Sequence, residues 1–67
     1  MVSKTADILG VSERDVIVLA CCYLMKNSGN TLYCVDPNKV YNTYKTTGYV
    51  PSFVVDYCSM KEGENHE

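Results

Sequence analysis

The sequence predicts a small, mainly α-helical bundle of three to four short helices, and three observations lead there. Breakers and capping residues recur at helix-length intervals: Gly10 before Ser12, then Asp36-Pro37, then Gly48 before Pro51-Ser52. From residue 16 to residue 25 every side chain is apolar or weakly polar. That run covers nearly three helical turns, so a helix there is buried all round. Finally, 67 residues at 46% apolar and 21% charged composition suit one globular core and leave no room for a second. The alternative for part of the chain is a short two-stranded wing made by residues 31–35 and 53–58.

Taken in order, helix one is expected over residues 3–9. Ala6 is the small side chain needed where two helices cross, and Gly10 is the residue that most readily takes positive φ after a helix. Ser12 can cap helix two with its hydroxyl, and its spacing to Asp15 imitates a capping box. Helix two then runs to about residue 27, before Gly29. Residues 30–35, Asn-Thr-Leu-Tyr-Cys-Val, have the β-branched and aromatic content of a short extended segment. Asp36 as N-cap and Pro37 at the first helical position start helix three, which continues to about residue 45 and stops at Thr46-Thr47-Gly48. Residues 52–60 fit a helical face through Phe53, Val54, Tyr57 and Cys58, and Pro51-Ser52 favours a helix. Phe53-Val54-Val55 is also good strand material and would pair with residues 31–35. The single domain is expected to occupy residues 1–60, with residues 61–67 an acidic, disordered tail.

The placement of Ala6, Gly10, Ser12 and Val16 resembles the helix-turn-helix superfamily of DNA-binding domains, over about residues 2–21. Val11, Val16 and Leu19 would close the core behind the turn. The resemblance implies that helix two enters the major groove of double-stranded DNA and that the protein is a small, dimeric transcriptional regulator. Ser12 and Arg14 would then meet the DNA at the start of helix two, with Lys4, Lys39 and Lys45 on phosphates. Residues 38–49 hold Lys39, Lys45, three tyrosines and no acid, which is the most basic window of the chain.

Charge argues against that use. Six Lys and Arg face eight Asp and Glu, a formal net charge of −2. DNA-binding domains normally gather cations on one face, because phosphate neutralisation supplies most non-specific affinity. In the helix-turn-helix frame, moreover, Val16, Leu19 and Tyr23 face the core while Ile17, Val18, Cys21 and Leu24 occupy the outward side. That row lacks the donors needed to read bases; either helices three and four cover it or it serves as an interface with protein. The second function class is therefore a non-enzymatic protein-interaction module, a regulator or inhibitor, docking through the apolar side of helix two. A homodimer buried along the same helix is expected in either case, since so short a chain has little internal surface to cover it.

Other chemistry is sparse. Cys21 and Cys22 are adjacent, Cys34 and Cys58 stand alone, and the single histidine, His66, lies in the tail. Zinc sites build from closely spaced ligand pairs, so four free thiols and no metal or other cofactor are expected. No nucleophile, histidine and acid come together in sequence, and there is no glycine-rich phosphate loop, so the chain does not read as an enzyme. The longest apolar run is too short to span a bilayer and no secretory signal is visible. Unpaired thiols favour a reducing, cytoplasmic setting.

Overall fold

Gly10 ends the first helix as its conformational freedom requires. In the computed structural model, which describes residues 1–28 and 35–64, its φ is 71° and the backbone closes a Schellman cap. The Gly10 N–H donates to the Asp7 carbonyl at 3.3 Å and the Val11 N–H to the Ala6 carbonyl at 3.0 Å. The described residues form four helices: α1, Val2–Leu9; α2, Glu13–Ser28; α3, Pro37–Thr47; and α4, Ser52–Glu64. There is no strand among them.

Local signals explain each boundary. The Ser12 hydroxyl accepts the Asp15 N–H at 3.1 Å and so caps α2. Glu13 and Asp15 stand in its first turn, where the helix dipole favours negative charge. The Asp36 carboxylate accepts the Asn38 N–H at 3.0 Å, with Pro37 opening α3. Gly48, at φ 79°, ends α3 by donating to the Tyr44 carbonyl at 2.9 Å. The Pro51 carbonyl receives the first bonds of α4, from the Val54 and Val55 N–H groups.

Helices α1, α2 and α4 pack on one another, and α3 lies against α2. The core joins Val2 and Ala6 of α1, Val16 and Ala20 of α2, and Val54, Tyr57 and Cys58 of α4. Val11 packs against this cluster from the turn, and Val40 and Tyr44 reach it from α3. Thr5 is fully buried, and its hydroxyl donates to Glu62 at 3.5 Å, which ties α1 to the end of α4.

Two expectations change, and the alternative of a strand at 53–58 falls. The helix expected over residues 52–60 is present in α4, where Val54, Tyr57 and Cys58 recur at helical spacing on one buried side. The other half of the suggested wing, residues 31–34 with Cys34, lies outside the described residues. Residues 61–64, expected to be disordered, continue α4, with the Lys61 ammonium 5.6 Å from the Tyr57 ring centre. The remainder of that tail, residues 65–67, is outside the described residues. Leu19, expected in the core, is 40% exposed.

Candidate functional site

At about 100° per residue, α2 divides into three sides. Val16, Ala20 and Tyr23 face the other core helices, and Glu13 stands at the border with α3. Val16 and Ala20 are buried, and Tyr23 meets Tyr57 of α4 with ring centres 5.6 Å apart. A second side carries Arg14, Ile17, Cys21 and Leu24. Arg14 donates to the Asn38 side chain of α3, and Ile17 and Cys21 are 0% and 1% exposed. The third side faces solvent, with Asp15, Leu19, Cys22 and Lys26 all exposed in one line. Val18 and Met25 border that line, Val18 half-buried and Met25 41% exposed.

The apolar surface expected at Ile17, Val18, Cys21 and Leu24 is thus turned around the helix. Ile17 and Cys21 are interior, Val18 and Leu24 are half-buried, and the open side carries Leu19, Cys22 and Met25 instead. The physical reason is α3, which packs on the side that a bare helix-turn-helix frame leaves open. Sequence did hold a signal for the true open side. Asp15, Leu19, Cys22 and Lys26 follow the i, i+4, i+7, i+11 spacing of a single helical stripe, and its two ends are charged.

The expected DNA contacts fall in two places. Ser12, Arg14 and Lys45 gather where the start of α2 meets α3, and Lys39 stands exposed on α3 nearby. Lys4 is exposed on α1, which α3 does not touch. Within the first group most polar capacity is already engaged. The Ser12 oxygen caps its own helix, and Arg14 is held by Asn38. The Lys45 ammonium lies 3.7 Å from the Glu13 carboxylate and 5.9 Å from the Tyr41 ring centre. The Tyr44 hydroxyl donates to Glu13 at 3.3 Å. An exposed pair of this kind contributes about 0–1 kcal/mol, so it orients α3 more than it secures it.

Burial raises the Cys21 thiol above its ordinary 9.0, with the neighbouring Cys22 and Asp36 adding to the effect. Burial also raises the Tyr44 phenol, and the Glu13 carboxylate adds to it. The unfolded Cys21 thiol ionises near its ordinary value while the folded one resists. Above pH 9.0 the unfolded state therefore binds fewer protons, and folding stability should fall as pH rises; below it both states are protonated and the group contributes nothing. A urea midpoint that climbs as pH passes 9.0 would contradict the assignment. Cys21, Cys22 and Cys58 are free thiols, and only Cys22 is exposed. Iodoacetamide at neutral pH is expected to alkylate Cys22 well before Cys21 or Cys58, as peptide mass spectrometry can establish. Equal rates at all three would mean that the bundle opens readily.

Among the described residues no three histidine, cysteine or carboxylate side chains come together as a metal site would need. No helix among them is long and apolar enough to cross a membrane. No protein-family model, curated protein or solved structure matches the chain.

Proposed function

We propose that this chain is a small, non-enzymatic regulator that acts by binding protein through the open side of α2. One observation carries the reading: the exposed stripe of that helix is apolar between its ends, with Leu19 and Cys22 outward, Met25 beside them and Asp15 at its head. In a helix laid into the major groove those positions would meet bases and phosphates. Leu19 and Cys22 offer no strong donor, and Asp15 repels phosphate. Against a protein the same side chains lose apolar surface to a partner, which is the main favourable term in such association. A reducing, cytoplasmic setting belongs to this proposal, because Cys22 sits on the docking side as a thiol.

The test is a photo-crosslinking residue, p-benzoylphenylalanine, placed at Cys22 and, as a control, at Asn42 on the exposed side of α3. Discrete protein adducts are expected from position 22 and none from position 42. Adducts from both positions, or from neither, would overturn the reading.

Duplex DNA is the second reading, and the placement of Ser12, Arg14 and Lys45 where the start of α2 meets α3, with Lys39 exposed on α3, favours it. In that case Arg14→Ala should weaken binding by about 1–3 kcal/mol if Arg14 reads a base, and Lys39→Ala should lower the salt slope by about one. Selection from random duplexes at low salt is expected to enrich nothing, since Glu13 lies beside Lys45 and Asn38 holds Arg14. Enrichment of a sequence, lost in Arg14→Ala, would replace the protein reading with the DNA one.

A further inference from the structure

Resting on that reading of α2, we infer that the partner of its open stripe is a second copy of the same chain, docked antiparallel. The stripe is self-complementary. Asp15 and Lys26 are eleven residues apart, within about 20° of one another around the helix and about 16 Å apart along it. Both are exposed, and among the described residues neither has an ionic partner. Leu19 and Cys22 lie between them, close to the midpoint of the stripe.

A two-fold axis through that midpoint sets Asp15 of each copy opposite Lys26 of the other, and Leu19 opposite Cys22. Each unpaired end finds the opposite charge, twice over, while the apolar centre is covered. Parallel pairing would instead set Asp15 against Asp15 and Lys26 against Lys26, and it would align the helix dipoles unfavourably. Charge therefore fixes the direction and apolar contact supplies the attraction. Val18 and Met25 widen the contact on the side toward α3.

The strength follows from size. A helix of 16 residues is about 24 Å long, and one face of it falls well short of the ~800 Å² per partner of a standard stable interface. Association should therefore be weak, with Kd on the order of 100 µM, a regime in which local concentration governs assembly.

Sedimentation equilibrium of the full chain, carried to millimolar concentration, reads this directly. The wild-type mass should rise toward that of two chains. Asp15→Lys alone and Lys26→Asp alone each turn two attractions into two repulsions, and each should raise Kd about tenfold or more. An equimolar mixture of the two variants restores opposite charges at both ends and should recover the wild-type Kd, as should the double variant. Far-UV circular dichroism of each variant checks that helix content is kept. A mass that stays at one chain overturns the inference, and so does association that neither single reversal weakens or the mixture does not rescue. The adduct formed from position 22 separates this inference from the reading beneath it. A conjugate of two copies supports both. A conjugate with a different protein keeps the docking side and overturns the second copy, and the absence of any conjugate overturns both.

Discussion

Ile17→Asp is expected to unfold the chain. Ile17 is 0% exposed, on the side of α2 that also carries Arg14 and Cys21, so a carboxylate there leaves water with no partner to compensate it. Loss of the branched side chain removes a further ~1.5–3 kcal/mol of burial. Together these exceed about 4 kcal/mol, against a total stability near the ~5 kcal/mol lower end for a domain of this size. Circular dichroism should show most helical signal lost at 25 °C, whereas Ile17→Val should cost only about 0.5–1.5 kcal/mol. Leu19→Asp is the contrasting variant. Leu19 lies two residues on but is 40% exposed, so helix content should survive while docking is lost. Native helix content and an unchanged urea midpoint in Ile17→Asp would mean that α3 does not cover that side of α2.

The contrast between Ile17 and Leu19 marks the limit of what the sequence made legible. Signals that act within a few residues were readable. Gly10, Ser12, Asp36-Pro37 and Gly48 each satisfy backbone groups beside them, and they set the helix boundaries to within a residue or two. Which side of α2 is covered depends on α3, packed from more than a dozen residues further along the chain. Between residues 16 and 25 the apolar pattern is nearly continuous, so it carries little directional information about the buried side. The helix-turn-helix frame set Ile17 and Cys21 outward, and the sequence left cover by helices three and four and an interface with another chain equally open. The charged ends of the stripe, Asp15 and Lys26, are the part of the pattern that does carry direction. In α4 the local signal of Pro51-Ser52 already favoured a helix, and the strand alternative offered by Phe53-Val54-Val55 falls because Tyr57 and Cys58 share the buried side of Val54.

Tyr57→Ala is expected to remove about 3–5 kcal/mol, the largest loss of any truncation in α4. The Tyr57 ring is the bulkiest member of the cluster that joins α1, α2 and α4, and it is 7% exposed. It meets Tyr23 of α2 at 5.6 Å with the planes tilted by 54°, an arrangement that contributes about 0.5–1.5 kcal/mol beyond area. Lys61 covers it from the next turn of its own helix. Tyr57→Phe keeps the ring and should change the urea midpoint little, while a double-mutant cycle with Tyr23 should return a coupling of about 1 kcal/mol. A loss below about 1 kcal/mol in Tyr57→Ala would place the weight of the core elsewhere. The variant also separates stability from recognition. Tyr23 and Tyr57 meet on a side of α2 different from the Asp15 to Lys26 stripe, so in stabilising osmolyte the folded fraction of Tyr57→Ala should associate with wild-type affinity. Leu19→Asp should behave in the opposite way, with stability kept and association lost. If both variants lose association in proportion to unfolding, the stripe is an ordinary solvent-facing side of α2 and carries no recognition of its own.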